Sequence, residues 1–252
     1  MSGHSKWSTI KHKKGKADVA RGKIFSKLIR ELTIAARAGG GDPTANPRLR
    51  TVIDSAREAN MPMDNIERAI KKGTGELPGV IYEETMYEGY GPAGVAIMIR
   101  VLTDNKNRTT AEMRHIFEKY GGSMGAANSV AWQFVPKGII SIAKEKADED
   151  TVMEIALDAG AEDVTTEAEG CTVTAPPDNF EAVKKAFKDK GIVWESAELA
   201  RVAQNTVKLE EKDASKVLRL VDMFEEHDDV QQVFSNSDIS NEIMEKLAKS
   251  AE

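Results

Sequence analysis

Apolar positions recur with helical spacing between residues 17 and 72. At 100° per residue, Phe25, Leu28, Ile29, Leu32, Ala35 and Ala36 share one face, and Lys23, Lys27, Arg30 and Arg37 gather on the opposite one. The pattern predicts a helix from an Asp18 cap to about Ala38, stopped by Gly39-Gly40-Gly41. Asn46 as cap and Pro47 in the first turn open a second helix, which buries Leu49, Val52, Ile53 and Ala56 and ends near Asn60, before Pro62. A third, short helix uses Met63, Ile66, Ala69 and Ile70. It closes on Lys71 and Lys72, cations suited to the negative end of a helix dipole. Three such stripes predict a small helical bundle.

Beyond GTGELPG (73–79) the period changes. Strand-like runs VAIMIRVL, SVAWQFV, GIISIA, DVTTEA and CTVTAP alternate with helical ones such as TTAEMRHIFEKYG, DTVMEIALDAG, NFEAVKKAFKDKG and ASKVLRLVDMFEEH. Thr109 and Glu112 form a capping box for the first of these helices. As elements the run reads β-α-β, then β-α-β-β-α-β, then β-α-β. The inner six make a complete split βαβ (ferredoxin-like) unit, and the outer halves make a second one that it interrupts. The predicted class is α+β: a helical N-terminal domain (1–78) followed by two ferredoxin-like domains, one inserted in the other. The inserted domain takes 137–201, and the discontinuous one takes 79–136 plus 202–240. Two unnested mixed sheets are the alternative.

Charge adds what periodicity does not. The 252 residues carry a formal charge of -6, yet residues 1–72 hold 16 Lys/Arg against 7 Asp/Glu, and residues 73–252 hold 19 against 34. The excess is densest in HSKWSTIKHKKGKADVARGK (4–23), with seven cations and one acid, Asp18. Lysines and arginines on a row of phosphates release condensed counterions, so this arm points to a nucleic-acid partner, DNA or RNA, ahead of an acidic protein or anionic lipid. The candidate contacts are Lys6, Trp7, Lys11, His12, Lys13, Lys14, Lys16, Arg21, Lys23, Lys27 and Arg30, with Trp7 and His4 as planar groups for stacking. Arg37 continues the helix stripe, and Arg48, Arg50 and Arg57 widen it. The competing account is a solvated helix face and a solubility tail. A membrane helix is disfavoured, because the apolar face of the first helix is needed by the bundle.

Other motifs are weaker. No apolar run approaches ~20 residues. The basic N-terminus has no apolar core for secretion and is Lys-rich, unlike an Arg-rich transit peptide, and Ser2 excludes N-myristoylation. The lone Cys171 excludes a disulfide framework and reads as a packed thiol, which places the chain in the cytoplasm. GYGPAG (89–94) matches G-x-G-x-x-G but feeds a strand rather than a helix, so it reads as a turn. The four histidines show no ligand spacing. The EEHDD run (225–229) reads as hydrated carboxylates ahead of a cation site. DNKNRTT (104–110) is a polar cluster with an anion-binding reading and a loop-and-cap reading, the latter favoured. Trp132 and Phe134 share a strand face and read as core. Nothing supports an enzyme, a cofactor or a small-molecule substrate.

GHSKW (3–7), RGKIFSKLIREL (21–32), the GGGDP and NPRLR segments of 39–50, YEGYGP (87–92), TDNKNRT (103–109) and LRLVDMFEEHDDVQQV (218–233) together resemble the YebC/PmpR family over essentially the whole chain. The resemblance implies a cytoplasmic protein with a helical N-terminal domain, two α+β domains and a role in gene expression. The family is generally described as DNA-binding transcriptional regulators. A mitochondrial branch resembles a translational activator of cytochrome c oxidase, and bacterial members are linked to ribosomes stalled on proline-rich sequences. Asn128 stands where members often have Gly, which bears on a turn. Two mechanisms follow: a DNA-binding transcriptional regulator, or a ribosome- and RNA-associated translation factor.

Overall fold

A computed structural model describes residues 17–167 and 170–250. The described residues form two compact units, one of 132–206 and one of 17–131 with 207–250.

The larger unit begins with α1 (Ala17–Gly39), α2 (Pro47–Glu58) and α3 (Met63–Thr74). The predicted stripes meet in one cluster: Leu32, Ala35 and Ala36 against Leu49, Ile53, Ala56, Ile66 and Ala69. Asn46 caps α2, accepting from the Leu49 amide, and its Nδ2 donates to the carbonyls of Ala35 and Gly40, each at 2.8 Å. One buried side chain thus closes the end of α1 and opens α2. At Gly73 a Cβ would lie 2.4 Å from the Thr33 carbonyl, so only glycine lets α3 approach α1 this closely.

The chain then forms β1 (Glu83–Tyr90), β2 (Ala96–Thr103), α4 (Lys106–Lys119) and β3 (Ser123–Met124). After residues 132–206 it returns as β8 (Val207–Lys208), α7 (Glu211–Glu225), β9 (Val230–Ser235), β10 (Ser237–Asp238) and α8 (Asn241–Ser250). Strands β3-β1-β2-β9 form one antiparallel sheet, with Glu83 opposite Thr103 and Tyr90 opposite Ala96. Ile97, Ile99 and Val101 of β2 belong to the core that Phe117 and Phe224 fill, ring centroids 4.7 Å apart.

This outer sheet departs from the expected split βαβ unit. It opens with a hairpin whose first strand, EETMYEGY, has exposed glutamates at one end and a glycine inside, so its apolar alternation is too short to read. GYGPAG is the hairpin's turn, with Pro92–Gly94 as a single 3₁₀ turn between two strands. SVAWQFV is not one strand either: Ala131–Gln133 forms a 3₁₀ turn, Trp132 is 67 % exposed rather than core, and Phe134 is buried. Asn128 has φ 65, the left-handed conformation that a glycine there would also meet. The turn is held by the buried Glu88, whose carboxylate accepts from the amides of Asn128, Val130 and Ala131 at 2.7–2.8 Å. The helix predicted from Thr109 starts three residues earlier, capped by Asn105, which accepts from the Arg108 amide.

The smaller unit contains β4 (Phe134–Ala143), α5 (Glu149–Asp158), β5 (Asp163–Glu167), β6 (Gly170–Ala175), α6 (Phe180–Asp189) and β7 (Ser196–Ala203). Its antiparallel sheet has the order β5-β6-β4-β7, the interleaving of a split βαβ unit. Ile140, Ile142, Val173 and the buried Cys171 join Val152, Phe180, Val183 and Phe187 in its core.

Candidate nucleic-acid interface

Of the nominated contacts, Lys6, Trp7, Lys11, His12, Lys13, Lys14 and Lys16 lie outside the described residues. Arg21, on the first turns of α1, is exposed.

The next three are engaged by carbonyls of the same chain. Lys23 donates to the Glu226 carbonyl (3.0 Å), Lys27 to the Glu225 carbonyl (3.1 Å), and Arg30 to the Asp228 carbonyl. Arg30 also pairs with the Asp229 carboxylate at 3.2 Å. The sequence leaves this stripe facing solvent; the structure turns it toward the end of α7. The physical reason is the orphan carbonyls there, which hold the negative end of the helix dipole and take hydrogen bonds from cations. Burial lowers the Lys27 pKa from the ordinary lysine value, against the opposing pull of Glu225 and Asp228.

Asp229 is the hub behind this contact. Its side chain is 5 % exposed and accepts from Arg108 (2.7 Å) and the Thr109 hydroxyl (2.8 Å). Burial alone would raise its pKa. The hydrogen bonds from Arg108 and Thr109, with the charges of Arg108 and Arg30, outweigh that and hold it below the usual carboxylate value. The DNKNRTT cluster therefore serves cap and ion-pair chemistry. A second set joins the same layers: Arg100 of β2 pairs with Glu31 of α1 and Glu84 of β1, and Arg48 of α2 reaches both acids at 3.0–3.3 Å.

Among the described residues, Glu112, His227 and Asp229 bring ligand atoms within 4.8 Å of one another. The donor set is already spent. The Asp229 amide donates to His227 Nδ1, which leaves the proton on Nε2, and that atom lies 2.9 Å from the Glu112 carboxylate. With Asp229 bonded to two guanidinium groups and a hydroxyl, the cluster works as an ion-pair hub and not as a cation cage.

The exposed cations of the described head are Arg21, Lys23, Arg37, Arg48, Arg57, Arg68, Lys71 and Lys72. Arg37 and Lys72 border a groove of about 630 Å³ between α1 and residues 72–82, which also holds Ile34, Leu77, Val80, Ile81 and Tyr82. The sequence shows both cations, but VIY (80–82) lies outside any periodic element and gives no such signal.

Comparisons with known proteins agree with this layout. Residues 5–76 match the model of the TACO1/YebC protein N-terminal domain, and residues 82–237 match that of the TACO1/YebC second and third domain. A protein of Desulforapulum autotrophicum named a probable transcriptional regulatory protein is 56 % identical over 247 residues, 98 % of this chain and 100 % of its own length. One of the same name from Desulfatibacillum aliphaticivorans is 58 % identical over 242 residues, covering 96 % and 98 %. The crystal structure of a conserved hypothetical protein, Aq1575, from Aquifex aeolicus superposes with a TM-score of 0.83 at 47 % identity, covering 90 % of this chain and 93 % of that one. Family models that together span nearly the whole sequence, and relatives this similar at full length, establish that the chain belongs to the TACO1/YebC family.

Proposed function

We propose that the protein is a non-enzymatic regulator of gene expression that holds nucleic acid through its basic N-terminal head, acting as a DNA-binding transcriptional regulator. The observation that carries this is the charge division: 16 Lys/Arg against 7 Asp/Glu in residues 1–72, on a chain of net charge -6. The relatives' names as probable transcriptional regulatory proteins support it. In this reading the contacts come from Lys6, Lys11, His12, Lys13, Lys14, Lys16 and Arg21, with Trp7 and His4 stacking. Lys23, Lys27 and Arg30 reach phosphate only by giving up the carbonyls at the end of α7.

A second reading, an RNA- and ribosome-associated translation factor, is favoured by the nature of the arm. A lysine-rich segment reads phosphates, which carry no base sequence, and suits structured RNA as well as DNA. Charge reversal at Lys11, Lys13, Lys14 and Lys16 in the full chain should weaken binding to labelled duplex DNA and hairpin RNA by at least tenfold, since each lost phosphate contact removes a released counterion. Unchanged affinity would exclude the arm. Sequencing the nucleic acid crosslinked to the protein in cells separates the two readings: promoter DNA supports the first, ribosomal RNA the second.

A further inference from the structure

We infer that the groove between α1 and residues 72–82 is a binding site for one unstacked nucleotide of a single-stranded nucleic acid, the base lying on its apolar floor and the flanking phosphates on Arg37 and Lys72. The inference rests on the nucleic-acid reading above and adds to it a place where a base, rather than the phosphate chain, is held.

The groove is built by local geometry. Gly75, at φ 84, ends α3 in the left-handed conformation, and the Leu77 amide donates back to the Lys71 carbonyl (3.1 Å). This reversal folds residues 77–82 into one wall of the groove, which residues 33–40 of α1 share. Gly79 lies against the Lys72 stem: a Cβ on it would be 3.1 Å from Lys72 Cβ, so the close fit holds the lysine at the rim.

The lining has the chemistry of a nucleotide. Ile34 is buried at the base, while Leu77, Val80 and Ile81 are 38, 51 and 61 % exposed, a large apolar area for residues between two structured elements. Tyr82 is half-buried, with the Arg30 guanidinium 5.7 Å from its ring centroid. A base takes an apolar and aromatic surface of this kind sequence-tolerantly, because every base has a π-face. The two charged side chains of the lining, Arg37 and Lys72, are both cations, and no carboxylate lines the groove. That complementarity selects an anionic ligand with a flat apolar part over a neutral or basic peptide. The volume of about 630 Å³ lies in the range of a small-ligand site of ~300–1,000 Å³. A duplex keeps its bases stacked inside, so only a single strand or a loop can offer one.

The test uses the full chain with a short oligouridylate carrying 4-thiouridine, the matching thiothymidine DNA, and a duplex of the same length. Single strands should photocrosslink to residues 77–82, and the duplex should not. Arg37→Glu with Lys72→Glu should weaken single-strand affinity by about tenfold or more, two phosphate contacts being lost, and Ile81→Ser should reduce the crosslink while leaving the melting temperature unchanged. If wild-type protein binds single strands and the arm reversal weakens them, but no crosslink maps to 77–82 and the groove variants bind normally, the groove inference fails alone. If wild-type protein binds no nucleic acid at all, the reading beneath it fails. Equal crosslinking of the duplex at 77–82 would also overturn the unstacked-base assignment, as would displacement of the groove variants' affinity for an acidic apolar peptide with oligonucleotide binding intact.

Discussion

Two side chains hold more of this architecture than their types suggest. Asn46 satisfies the Leu49 amide and two carbonyls with both ends of its amide. Asn46→Ala removes all three bonds, two of them buried, and should lower stability by about 2–3 kcal/mol, read from urea denaturation. Asn46→Asp keeps the cap but loses both donors, so it should fall between the two. Asp229 is the other. Asp229→Ala should cost about 2–3 kcal/mol, discounted from the ~3–5 kcal/mol of a fully buried pair because Arg108 is 43 % exposed. Its depressed pKa fixes the pH dependence: the stabilisation is complete above the unfolded carboxylate value near pH 4 and is lost as pH falls through the lower folded value. The gap in melting temperature between wild type and Asp229→Asn should therefore be constant from about pH 5 to 8 and shrink at lower pH. A gap independent of pH down to about 2 would mean that the Arg108 and Thr109 bonds do not act as the geometry indicates.

At the scale of elements, the basic face of α1 and the end of α7 form one contact, and its energetics separate two roles. Lys27→Met keeps the packed stem and removes the donor to the Glu225 carbonyl. It should lower stability by about 0.5–1 kcal/mol, a drop of roughly 1–4 °C in melting temperature, while nucleic-acid affinity falls less than about fivefold. A larger loss of affinity would show that the stripe exchanges carbonyls for phosphates on binding. The three helices were legible because their caps and stripes are local: Asn46-Pro47 and the 3.6 period need no partner to be recognised. Three strands of the smaller unit were legible too, since GIISIA, DVTTEA and CTVTAP fall on β4, β5 and β6. What failed did so for want of local signal. Glu88 carries no local mark of its role: it is buried because three amides of a turn about forty residues away need an acceptor. Lys23, Lys27 and Arg30 read as a solvated stripe because their acceptors lie about 200 residues further along the chain.

For the molecule as a whole, charge is divided between a basic head and an acidic remainder, and in the proposed reading that division sets both affinity and its salt dependence. The smaller unit illustrates the division: residues 137–201 hold 8 Lys/Arg against 15 Asp/Glu. No described helix is long and apolar enough to cross a membrane.

The most direct test is a salt titration of nucleic-acid affinity with the full chain. With ~6 phosphate contacts, the dissociation constant should rise on the order of 10³-fold between ~50 and ~200 mM salt, with a straight log–log slope that shortens when Lys11, Lys13, Lys14 and Lys16 are reversed. A flat response, with the same slope for the reversed arm, would contradict the account.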